Sequence, residues 1–157
     1  MRRLHVETYC KTPIQFQAFP LLVDCGLEWR AGSDSLFDCV GLRRLFVDRF
    51  SEKTFGGFAR LVNLESLTLL GGPLESLSGI GALECLGHLR LGDLRRLQTI
   101  DDLEGLDGLT ELEIQVCRRI TSIAVVGKLK KLKRLLLTDC GDIDSLSPIV
   151  GHGHYRR

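Results

Sequence analysis

Five leucines constrain this chain more than any other feature. Leu42, Leu64, Leu86, Leu109 and Leu132 each open the pattern apolar-x-x-apolar-x-apolar, at intervals of 64−42 = 22, 86−64 = 22, 109−86 = 23 and 132−109 = 23. A period this short and regular suits a solenoid, in which each unit can bury its apolar side only against the units before and after it.

The phase of the ladder sorts the residues that follow each leucine. Leu45 and Val47, Leu67 and Leu69, Leu89 and Leu91, Leu112 and Ile114, and Leu135 and Leu137 alternate as strand residues do, so they point inward and their neighbours point outward. Beyond each strand the apolar spacing changes from two to three: Leu74, Leu77, Ile80, Leu83; then Leu97, Ile100, Leu103, Leu106; then Ile120, Ile123, Val126, Leu129; then Ile143, Leu146, Ile149. Side chains at i and i+3 eclipse in a 3₁₀ turn, so the expected fold is an α/β solenoid. It has a curved parallel β-sheet on the concave face and short 3₁₀ turns or coil on the convex face.

Residues 1–41 read as an N-terminal cap with a degenerate first coil, residues 42–150 as about five repeat coils, and residues 151–157 as a tail. Leu4 to Tyr9 could be extended. LLVD at Leu21 to Asp24 reads like LFVD at Leu45 to Asp48, which would make six coils with the first one irregular. Between those strands Ser33 is placed to cap a short helix carrying Leu36, Phe37 and Val40 toward the core. Trp29 is expected to pack rather than to stand as an exposed anchor. Nothing evident caps the far end after Ile149. The tail covers it, or its edge pairs with another chain in a homodimer, or further coils follow.

Composition narrows the function. With 21 Lys plus Arg against 20 Asp plus Glu, the balance of +1 offers no basic footprint for nucleic acid or an acidic membrane surface. The leucines are interrupted too often for a bilayer-spanning run, and polar residues break up the N-terminus before a signal-peptide core can form, so the expected location is cytoplasmic. Cys10, Cys25, Cys39, Cys85, Cys117 and Cys140 show neither close pairs nor zinc-site spacing, and are expected as free thiols.

The Leu-x-x-Leu-x-Leu units with apolar residues at threes resemble the short, 22 to 23 residue class of leucine-rich repeats found in internalins and in a nuclear regulator of protein phosphatase 1. The resemblance covers residues 42 to 150. It implies protein binding on the concave sheet. The Asn usual to that class is replaced by Phe50, Gly72, Leu94, Cys117 and Cys140, and the two Cys-x-x-Ile forms look like the Cys-bearing repeats of plant immune receptors and many bacterial proteins.

Outward positions form three columns. The central one reads Leu22, Phe46, Thr68, Arg90, Glu113, Leu136; beside it stand Pro20, Arg44, Ser66, His88, Glu111, Arg134 on one side and Asp24, Asp48, Leu70, Gly92, Gln115, Thr138 on the other. Phe46, Leu70 and Leu136 are apolar where a protein without a partner would place polar residues. Phe46, Arg90 and Arg44 are the leading contact candidates, because aromatic and Arg side chains are the usual anchors of an interface. Asp48, Thr68, Leu70, His88, Glu111, Glu113, Gln115, Arg134 and Leu136 complete the candidate surface. Carboxylates beside His88 suit acid-base chemistry, yet cross-strand pairing with Arg90 explains them as well, and a flat sheet excludes no water. The run Lys128, Lys130, Lys131, Lys133 and Arg134 reads as a solvated flank. His152 and His154 lack further ligands for a metal.

The sequence therefore points to a non-enzymatic interaction module with no cofactor or metal, binding a folded protein. It is compatible with an immunity protein that neutralises a toxin domain, and alternatively with a regulatory or adaptor subunit or one arm of a larger repeat receptor.

Overall fold

In the computed structural model, which describes residues 1–6 and 12–150, the alternating segments form seven strands of one sheet. They are β1 (Arg3–Val6), β2 (Asp24–Glu28), β3 (Arg44–Asp48), β4 (Ser66–Leu70), β5 (His88–Gly92), β6 (Glu111–Gln115) and β7 (Arg134–Thr138). Each pairs in parallel with its sequence neighbour, so strand order equals chain order. Between strands the apolar residues at threes form 3₁₀ turns, among them Ser33–Asp38, Gly56–Arg60, Ile80–Ala82 and Ala124–Lys128. A four-residue helix, α1 (Ser147–Val150), lies on the convex side after β7 and packs on Ala124–Lys128.

The ladder leucines and the inward strand residues join one continuous core; Leu42, Leu64, Leu86 and Leu109 are each 0% exposed. Toward the N-terminal coils the core turns aromatic. Trp29, Phe37, Phe50, Phe55 and Phe58 stack and tilt against one another at centroid separations from 4.8 to 6.4 Å. Trp29 is thus a buried core residue rather than a surface anchor.

A second ladder of backbone geometry runs beside the leucines. The residue after each of β3 to β7 has positive φ: Arg49 (55°), Gly71 (69°), Asp93 (51°), Val116 (55°) and Asp139 (50°). The first four donate their N–H to the next coil, at 2.7 Å from Arg49 to Leu70 and 2.8 Å from Gly71 to Gly92, so pairing continues past the strand into the corner. At strand entry one carbonyl accepts two N–H groups, as Glu65 O does from Gly87 (2.9 Å) and His88 (3.1 Å). The exit corners carry no asparagine, and these bonds satisfy their backbone groups in its place. At the exit corner Cys117 Sγ lies 3.4 Å from Gln115 O, and Cys140 Sγ 3.6 Å from Ile114 O. Phe50 and Leu94 fill the same place by packing, with 1% and 0% exposure.

The N-terminal register differs from the expected one. Leu22, not Leu21, is the counterpart of Leu42, and Cys25 and Leu27 pair with Leu45 and Val47, an offset of 45−25 = 20 rather than 24. The strand is therefore DCGLE, not LLVD. Leu22 is core at 1% exposure, Pro20 precedes the sheet, and Asp24 stands beside Arg44 rather than Asp48. Residues 1–41, read as a cap with a degenerate first coil, supply β1 and β2 of the same sheet, where Leu4 pairs with Cys25 and continues its inward column. Val40 points to solvent at 52% exposure, since Cys39, three residues before Leu42, takes the inward place. Leu146 is also exposed, at 57%. Tyr9, Cys10, His152 and His154 lie outside the described residues.

Candidate functional site

The concave face is the exposed side of β1 to β7, and strand alternation alone puts the candidate residues there. From the N-terminal end its first column reads Arg3, Asp24, Arg44, Ser66, His88, Glu111, Arg134, and its central column His5, Gly26, Phe46, Thr68, Arg90, Glu113, Leu136. The third column has Glu28, Asp48, Leu70, Gly92, Gln115 and Thr138. All twelve candidate contact residues share this surface.

Two charged clusters occupy its ends. On β1 to β3, Asp24 accepts hydrogen bonds from Arg44 Nε at 3.1 Å and His5 Nε2 at 3.2 Å, with Arg3 Nε at 3.6 Å. Burial pushes the Asp24 carboxyl up, but the bonds and charges of Arg44 and His5 outweigh it and leave the pKa below the ordinary 3.8. On β5 to β7, Glu113 lies 2.9 Å from Arg134 Nη1 and 3.6 Å from Arg90 Nε. Glu111 lies 3.5 Å from both His88 Nε2 and Arg134 Nη1. Arg90 Nη2 also donates to Gln115 Oε1 at 3.0 Å.

Arg44 and Arg90, leading candidates on sequence grounds, are therefore already committed to carboxylates of the adjacent strands. Pairs of this exposure contribute only about 0.2–1 kcal/mol each to stability. Their larger consequence is that these guanidinium groups have partners before anything binds.

Between the clusters lies the uncharged strand β4, with Ser66, Thr68 and Leu70 outward, and Phe46 borders it from between Arg44 and Asp48 of β3. Phe46 on β3 faces Thr68 on β4, and Arg44 faces Ser66. Phe46 is 38% exposed, whereas Leu70 and Leu136 are half-buried. Leu70 folds over Gly92, where a Cβ would stand 2.6 Å from its Cδ2, and in the same way His5 lies over Gly26. Of the three outward apolar residues, only Phe46 offers an open ring.

The sheet is not flat: Ser66, Thr68, His88, Arg90, Glu111 and Glu113 line a shallow polar depression that opens to solvent. Its carboxylates are held by guanidinium groups and His88. The chemistry this arrangement supports is ion pairing and hydrogen bonding rather than a poised acid and base. The buried thiols are equally unreactive. Burial, with Cys39 and Asp24 nearby, pushes Cys25 up to about 12, and burial pushes Cys117 up to about 11. The five described cysteines form no disulfide. Among the described residues no helix is long and apolar enough to cross a membrane.

Sequence reasoning missed a second exposed apolar feature. Leu21, Val40 and Val62 are 67%, 52% and 47% exposed, at the corner where successive coils enter the sheet. The signal was available one residue before Leu22 and two residues before Leu42 and Leu64.

Solved structures share this architecture. Internalin C2 of Listeria monocytogenes aligns with a TM-score of 0.72 and 20% identity over 88% of this chain and 61% of its own. Internalin InlF of the same organism gives 0.65 and 17% over 87% of this chain and 46% of its own. The functional domain of its InlJ, which includes a cysteine ladder, gives 0.70 and 16% over 97% of this chain and 32% of its own. The chain spans less than two thirds of the length of each. The likeness establishes the fold as a leucine-rich repeat solenoid of the internalin kind. No protein-family model and no curated protein matches the sequence.

Proposed function

We propose that this chain is a non-catalytic protein-binding module that seats a folded partner on its concave sheet, with Phe46 at the centre of contact. One observation carries the reading: an exposed aromatic ring on β3 borders the uncharged strand β4, between two clusters whose charges are already mutually paired. Burying that ring removes apolar surface from water, and the flanking pairs form a polar rim that need not be broken. Among the described residues the concave-face carboxylates Asp24, Glu111 and Glu113 each lie beside a cation, which supports a binding role over catalysis.

The narrower role is neutralisation of a toxin domain in a reducing, cytoplasmic setting, which the five described, unpaired cysteines support. It calls for a tight one-to-one complex with a protein encoded beside the gene. A role as an adaptor subunit or as one arm of a longer receptor calls instead for further sequence or further subunits in the complex.

The test is capture of partners from the native cell on immobilised protein, identified by mass spectrometry and repeated with Phe46→Ala. A contact at the interface centre should weaken binding by about 2 kcal/mol, roughly thirtyfold, with the melting temperature nearly unchanged. Binding that survives Phe46→Ala but is lost in Val40→Ser/Val62→Ser would move the site to the entry corner.

A further inference from the structure

The last described coil carries three features that no other described coil combines. First, β7 pairs only with β6 among the described residues, leaving the N–H and C=O groups of its other edge open. Second, core positions that are closed elsewhere are open here. Leu67, Leu69, Leu112 and Ile114 are 0% exposed, whereas Leu135, Leu137, Ile143 and Ile149 are only partly buried and Leu146 is 57% exposed.

Third, the charges of this coil are sorted by corner. Exposed Lys130, Lys131 and Lys133 lie before β7, and exposed Asp139, Asp142 and Asp144 lie after it. Elsewhere ion pairs join coils about one repeat apart, as Arg43 does Glu65 at 3.0 Å and Arg60 does Asp38 at 2.7 Å. The three lysines, Asp142 and Asp144 lie within no such distance of a described residue, and Asp139 meets Arg118 at 2.8 Å.

We propose that this end is a homotypic interface, in which β7 pairs antiparallel with β7 of a second copy about a two-fold axis at Leu136. That register is symmetric about Leu136. Arg134 faces the second copy's Thr138, Leu135 faces its Leu137, and Leu136 meets its own counterpart. Lys133 stands opposite Asp139. The same two-fold lays the lysine corner of each copy over the aspartate corner of the other, which is the condition an isologous interface must meet. Continuing the coil stack head to tail lacks this complementarity: β7 would lie against β1 of the next copy, with Arg134 beside Arg3. The paired dimer extends one sheet across both copies and leaves Phe46, on β3, free, so it stands independently of the binding role proposed above.

The mass of the full chain is measured by sedimentation or light scattering from low to high micromolar concentration, beside two variants. The chain of 17.5 kDa should associate to twice that mass and no further. Leu136→Lys puts two like charges at the axis and should be monomeric across the same range. Its melting temperature under dilute conditions should hold, because Leu136 faces the concave side and not the core. Leu136→Cys in a Cys85→Ser background should form a disulfide-linked dimer on oxidation. A monomer at every concentration overturns the proposal. So does an open-ended series of larger species, a dimer that persists in Leu136→Lys, or a Leu136→Cys dimer that does not cross-link.

Discussion

Val116 is the most strained residue of the exit-corner ladder. The four equivalent corners hold Arg, Gly, Asp and Asp at positive φ, and Val116 takes the same conformation at 55° with a β-branched side chain. Left-handed backbone costs an L-residue roughly 1–2 kcal/mol, least for Gly, Asn and Asp. Val116→Asn should therefore raise stability by about 1 kcal/mol, seen as a higher denaturation midpoint with unchanged slope. At the adjoining position Gly72 has φ of 110°, and a Cβ there would run into the Phe50 carbonyl, so Gly72→Ala should lower the midpoint. Asp24 makes stability depend on acid. Its folded pKa lies below the ordinary 3.8, so its contribution is fully present above that value and is lost as pH falls through the lower folded pKa. A melting-temperature series against pH should show Asp24→Asn below wild type at neutral pH, with the two curves converging under acid.

At the scale of elements, the strands and 3₁₀ turns follow from two apolar spacings, and both were readable because backbone geometry imposes them. Alternation marked β3 to β7 without error of register. The N-terminal coil was misread because Cys25 stands where leucine stands elsewhere and the repeat there is 20 residues long, so LLVD looked like the better match. Read from Leu22, the pattern Leu22-x-x-Cys25-x-Leu27 is intact. The threes are also intact when counted back from Leu42 through Cys39, Leu36 and Ser33. The aromatic cluster is the element-scale departure from leucine packing. Phe58 contacts four other rings and is 0% exposed, so Phe58→Ala should cost about 3–5 kcal/mol. Thermal unfolding monitored by near-ultraviolet circular dichroism would register the loss.

The whole molecule is a stack in which each coil touches only its neighbours, so its cooperativity depends on the interfaces between coils. The single tryptophan, Trp29, reports on the N-terminal coils, while far-ultraviolet dichroism reports on all of them. If the stack unfolds as one unit, Leu89→Ala in β5 should lower both midpoints equally. Separate midpoints would place a cooperative boundary between the aromatic and leucine halves. By itself the sequence determined the solenoid, its period and, from β3 to β7, its inward residues and the membership of the concave surface, since these depend on local backbone periodicity and on the need of each coil to bury its apolar side. Only the tertiary structure decided which of those surface residues are free. Arg44 and Arg90 are engaged by carboxylates about one repeat away, Leu70 covers Gly92, and Phe46 alone keeps an open ring, because side-chain contacts between coils are set by distances across the sheet that no spacing along the chain encodes.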